Sequence, residues 1–129
     1  MSSNNTIADD LRVFIRSTIT SIWSLELLLF LKKQQDSAWS TDQLVRELRG
    51  SNFLVQELVL SLCRAGLINE DETGAVRYSP SSPKLATLVE RLEQLTLERP
   101  MAVRNAIVAA PHDKIQVFAD AFKVKKDQA

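Results

Sequence analysis

Apolar residues recur at steps of three and four from the start of the chain: Ile7, Leu11, Phe14, Ile15, Ile19 and Ile22, with Thr18 in the same series. That spacing is one face of a helix, and Asn5 or Thr6 followed by Asp9 reads as its start. Serines and threonines crowd positions 17–24, which puts a break or bend near Ser21. A second helix is predicted from Ile22 to Gln35, where Leu25 and the run Leu27 to Leu31 cover most of the circumference. A helix tolerates that pattern only when surrounded by protein, so this one is expected at the centre of the core.

The next stretch, Asp36 to Ser40, is a short connector around Trp39. Ser40-Thr-Asp-Gln43 is a capping box, in which the serine hydroxyl and the glutamine side chain each satisfy a free backbone donor. It opens a short helix, Thr41 to Arg49, which Gly50 is expected to end by supplying a positive φ. Ser51 or Asn52 then caps a further helix carrying Phe53, Val55, Leu58, Val59 and Leu62, ending at Gly66. From Leu67 to Ser79 the period shortens around Asp71-Glu-Thr-Gly74, the pattern of a β-hairpin. Pro80 and Pro83 stop it.

Leu85, Leu88, Val89, Leu92 and Leu95 follow as about two heptads of helix to Arg99, suited to pairing with another helix. Pro100 fits the first helical position of a segment Met101 to Ala110. Beyond Pro111 a last stretch places Ile115, Phe118, Ala119 and Phe122 on one face before Lys123, Lys125 and Lys126.

Composition narrows the possibilities. With 129 residues, 45% of them hydrophobic and 25% charged, the chain has the length and composition of one globular unit with a real core. The reading divides it into a helical extension (1–20), a central domain (21–80) and a helical dimerisation or interaction region (81–129). One cysteine (Cys63) and one histidine (His112) give neither a disulfide framework nor a metal cluster, so no metal and no cofactor are expected. The three glycines are scattered, and no phosphate loop or catalytic signature occurs, so the chain is not expected to be an enzyme. Its longest apolar stretch is about half of what a membrane span requires, so a cytoplasmic protein without membrane contact is expected.

Helix, short extended piece, helix, turn, helix, hairpin is the order of a winged-helix domain, and the phrase Leu62-Cys-Arg-Ala-Gly-Leu-Ile68 stands where the third helix meets the wing. Over residues 21–80 the chain resembles the bacterial MarR and ArsR type regulators. The fold class implied is mainly α with a small β-hairpin: a winged helix-turn-helix with extra N- and C-terminal helices. The resemblance implies a homodimeric transcriptional regulator whose helix from Ser51 to Ala65 lies in the major groove of double-stranded DNA. Asn52 and Gln56 would then read bases; Thr41, Gln43 and Ser51 would donate to phosphates; Arg77 would reach DNA from the hairpin; and Arg46, Arg49, Lys123, Lys125 and Lys126 would help hold the backbone.

Charge qualifies that expectation. The 16 basic residues balance the 16 acidic ones, so any DNA contact must come from a local patch. Between Ser51 and Pro80 the acids Glu57, Glu70, Asp71 and Glu72 face only Arg64 and Arg77, a net of −2, whereas residues 81–129 carry eight bases against six acids, a net of +2. Phe53, Leu54 and Leu60 add large apolar side chains to the same helix. The alternative is therefore a winged-helix protein-interaction module, with Phe53, Leu54 and Leu60 docking a protein partner. Leu85, Leu88, Leu92 and Leu95 provide either a homodimer seam or ordinary core.

Overall fold

The structure, a computed structural model, describes residues 7–109. These form six helices and a two-stranded antiparallel sheet: α1 (Asp9–Thr18), α2 (Ile22–Lys33), α3 (Thr41–Leu48), α4 (Asn52–Arg64), β1 (Ile68–Glu70), β2 (Val76–Tyr78), α5 (Pro83–Glu98) and α6 (Pro100–Ala109). Mainly helical architecture with one small hairpin is what the periodicity predicts. The expected caps Asn5 and Thr6, and the segment from Pro111 through His112 to Lys126, lie outside the described residues.

The bend near Ser21 is present and sharp. α1 and α2 diverge by 105°. Ile19 is extended and fully buried at the corner, and the Ser21 hydroxyl accepts from the Ser24 amide to open α2. α2 buries Leu25, Leu27, Leu28 and Leu31 and touches α3, α4, α6 and β2. It is less enclosed than the all-round apolar pattern predicts. Trp23 and Glu26 are exposed, and Ile22, Leu29 and Phe30 are only half-buried. Neighbours cover one side of this helix, leaving Ile22, Leu29 and Phe30 partly open.

The capping box at α3 forms as predicted: the Ser40 hydroxyl accepts from the Gln43 amide at 3.2 Å, and Gln43 Oε1 accepts from the Ser40 amide at 2.9 Å. The end of α3 departs from expectation. Arg49, and not Gly50, takes the left-handed conformation, with φ 56° and ψ 36°. Gly50 matters for space, since a Cβ there would come within 3.3 Å of Leu54 Cδ2. Ser51 then caps α4, accepting from the Leu54 amide at 3.0 Å.

At its C-terminus α4 closes with the Leu67 amide donating to the Leu62 carbonyl and the Gly66 amide to the Cys63 carbonyl, a Schellman motif with Gly66 at φ 81°. β1 and β2 pair with Ile68 opposite Tyr78, Asn69 opposite Arg77 and Glu70 opposite Val76. Trp39 adds a third extended piece on the other edge of β2, exchanging both backbone hydrogen bonds with Val76 at 2.7 and 2.8 Å. The connector before α3 is thereby tied to the hairpin, completing the element order of a winged helix-turn-helix with helices added at both ends.

α5 starts at the Ser82 cap with Pro83 in its first turn and packs against α1 and α6. Two ion pairs hold the added helices: Arg91 of α5 to Asp10 of α1 through two bonds of 2.8 and 3.0 Å ties them to each other, and Glu93 of α5 to Lys32 of α2 at 2.7 Å ties them to the central domain. A single hydrophobic core runs from Ile7 to Ile107, taking residues from all three segments of the chain. α1 is thus part of this chain's own core.

Candidate nucleic-acid interface

α4 is amphipathic, and its buried side (Val55, Leu58, Val59, Leu62) fixes which residues point outward. Those are Ser51, Asn52, Phe53, Gln56, Glu57, Leu60 and Arg64, all exposed. Asn52 and Gln56 lie one turn apart on that side, the arrangement that lets two amides reach neighbouring bases in a groove. Ser51 caps the helix with its side-chain oxygen but keeps its hydroxyl hydrogen, so capping leaves it able to donate to a phosphate.

The preceding helix adds unequal members. Gln43 is exposed, and its Oε1 is held in the capping box, which leaves the amide nitrogen as its outward donor. Thr41 is half-buried. Arg46 and Arg49 are exposed, and Arg49 sits at the α3–α4 corner, where its left-handed backbone turns the chain. Arg77 is exposed on β2, opposite Asn69.

The apolar candidates separate. Phe53 is 73% exposed and Leu60 45%, whereas Leu54 is half-buried and packs against the core. Within α5, Leu88 and Leu92 are buried in the monomer's own core, and Leu85 and Leu95 are partly buried against it. Periodicity alone does not distinguish a seam from a core; here Leu88 and Leu92 are core residues of this chain.

The acids of the wing have different roles. Asp71 accepts from the Thr73 amide at 2.8 Å, the Thr73 hydroxyl at 2.6 Å and the Ala75 amide at 3.1 Å, and these bonds hold its carboxyl below the ordinary carboxylate range. It is a turn-former carrying a charge. Glu70 and Glu72 are the exposed acids that flank it. Burial, with Glu70 adding to it, pushes the Cys63 thiol up, the opposite of what a reactive thiolate needs.

Arg64 is the cation that the sequence reading left out of the interface. It lines a shallow hollow of about 320 Å³ with Glu57, Leu60 and Ser61 of α4 and with Ser17 and Thr18 at the end of α1. Its position two turns beyond Gln56 is the signal that could have found it, but the partner helix α1 is visible only in three dimensions. Among the described residues, no group of three or more His, Cys, Asp or Glu side chains is arranged to hold a metal ion, and no single helix is long and apolar enough to cross a membrane. No family model matches the sequence, and no curated protein or solved structure matches it either.

Proposed function

We propose that the chain is a cytoplasmic winged-helix transcriptional regulator of the MarR and ArsR type that binds double-stranded DNA as a homodimer. The observation that carries this reading is the outward side of α4: Asn52 and Gln56 stand exposed one turn apart on a helix whose other side is fixed in the core. Asn and Gln amides match the donor and acceptor of an adenine edge in the major groove. Arg46 and Arg49 from the preceding helix and Arg77 from the hairpin supply phosphate contacts on either side. The hairpin is tied to the connector before α3 by the Trp39 bridge.

A second reading, a protein-interaction module without direct DNA binding, is favoured by Phe53, a large aromatic side chain mostly exposed near the start of α4, with Leu60 two turns on. Glu57 between them and the acids of the wing would repel phosphate.

Paired substitutions separate the two. On a duplex recovered by selection from a random pool, Asn52→Ala with Gln56→Ala is expected to weaken binding by at least about tenfold, since a bidentate base contact contributes about 1–3 kcal/mol. Phe53→Ser with Leu60→Ser is expected to leave affinity within about twofold. The reverse pattern, with loss of assembly in the second variant, would establish the interaction module instead.

A further inference from the structure

An apolar groove of about 600 Å³ lies outside the candidate interface, with no lining residue from α4 or the hairpin. One wall is the partly open side of α2, with Ile22, Leu25, Leu29 and Phe30. The other is the end of α5 and the start of α6, where Leu97 and Met101 are 74% and 62% exposed. The apolar exposure continues past the groove. Val108 follows Met101 by seven residues, about two turns on the same side of α6, and is 69% exposed. A small molecule seated in the groove would leave Val108 in water, whereas a protein surface laid against α6 would cover all three side chains.

The charges at the rim select the kind of surface. Two acids, Glu26 and Glu93, and two bases, Lys33 and Arg104, line the groove. Glu93 is already paired with Lys32, and Lys33 ends α2, where a cation offsets the helix dipole. Glu26 on one wall and Arg104 on the other are exposed, and among the described residues neither has an ion-pair partner. A strongly acidic or strongly basic partner would meet one of the two with the wrong sign. A second copy of the chain meets both with the right sign. A two-fold contact puts the same patch on each subunit, so the Arg104 wall of one copy faces the Glu26 wall of the other, and the pairing occurs twice. Shape follows the same rule: a ridge of Leu97, Met101 and Val108 stands beside the trough along α2, so each copy offers what the other receives.

We propose that this groove is the homodimer interface, with Leu97, Met101 and Val108 of each copy seated along α2 of the other and each Arg104 paired with the Glu26 facing it. The proposal rests on the homodimer in the reading above and not on DNA binding. It moves the seam from the α5 heptads, whose Leu88 and Leu92 fill this chain's own core, to the junction of α5 and α6. Because it draws on no residue of α4, Asn52 and Gln56 take no part in assembly.

Sedimentation velocity of the full chain over a concentration series tests it. Wild type is expected to dimerise. Glu26→Arg and Arg104→Glu, each alone, bring like charges together twice across the two-fold axis and are expected to weaken dimerisation by at least about tenfold. Glu26→Arg with Arg104→Glu in one chain is expected to restore it to within about threefold of wild type, a recovery that a purely structural role of either residue would not give. Leu97→Glu with Met101→Glu is expected to be monomeric with helical circular dichroism unchanged, since both side chains are exposed in the single chain. Undiminished dimerisation in the single charge variants, or loss without recovery in the double variant, would overturn this interface and leave a homodimer through another surface. A wild-type chain monomeric at every concentration would overturn the homodimer as well, leaving the groove to a different protein or a small apolar ligand. Duplex binding, measured separately on the same variants, decides the DNA reading by itself.

Discussion

At the scale of single residues, two backbone positions carry consequences that side-chain chemistry alone does not suggest. Gly66 combines φ 81° with crowding, since a Cβ there would lie 2.6 Å from Ser81 Oγ. The Ser81 amide donates to the Gly66 carbonyl at 2.7 Å, so the same contact ties the end of α4 to the approach of α5. Gly66→Ala is expected to lower unfolding stability in urea by at least about 1 kcal/mol, because the left-handed conformation and the steric clash act together. Arg49 is the opposite case. Its left-handed backbone is a site that glycine would accept with less strain. Arg49→Gly is expected to leave stability unchanged or raise it by up to about 1 kcal/mol while weakening DNA binding, as a phosphate-contacting residue would. Stability and binding moving together in that variant would argue that Arg49 is only a turn residue.

At the scale of elements, the hairpin and α5 make separate predictions. Asp10, held low by the Arg91 pair, and Asp71, held low by Thr73 and the turn amides, both have folded pKa values below the ordinary 3.8. Each stabilises the fold above the unfolded carboxylate pKa and loses that contribution as pH falls through its folded value. Urea midpoints are therefore expected to fall as pH drops from about 5 toward 3, and less steeply in Asp71→Asn, which keeps an acceptor without a titrating charge. In α5, Leu92→Ala removes a fully buried side chain and is expected to cost about 2–5 kcal/mol, independent of protein concentration. A concentration-dependent loss would instead place Leu92 in a dimer seam.

The same elements show how much of the molecule was legible from sequence. The Ser40–Gln43 box, the α4 cap and the hairpin turn are local hydrogen-bonding devices, complete within four or five residues; the box and the turn could be read directly, and the cap could be narrowed to Ser51 or Asn52, of which the structure uses Ser51. The Trp39 bridge could not, because a single extended residue has no period to detect and its partner, Val76, is far along the chain. The left-handed turn was assigned to Gly50 on preference; the close approach of Leu54 is what needs a glycine there. In α5 the heptad pattern was correct, but its packing against α1 and α6 within one chain is a tertiary fact. The outward residues of α4 followed from period alone, whereas the meeting of Arg64 with the end of α1 did not.

At the scale of the whole molecule, balanced charge makes DNA binding a local matter. The outward side of α4 holds Asn52 and Gln56 beside Glu57 and Arg64, and arginines are exposed at 46, 49 and 77, as are the acids Glu70, Asp71 and Glu72 of the hairpin. Direct binding requires those arginines to outweigh the acids at the phosphate surface, and that balance appears in the salt dependence of the affinity. The central measurement is therefore binding of the full chain to mixed-sequence duplex DNA across a salt series. A regulator is expected to bind at low salt and to weaken as salt rises, with a log–log slope reporting about three to six neutralised phosphates. No binding at the lowest salt, or an affinity indifferent to salt, would contradict the account and leave Phe53 and Leu60 as the centre of a protein-docking face.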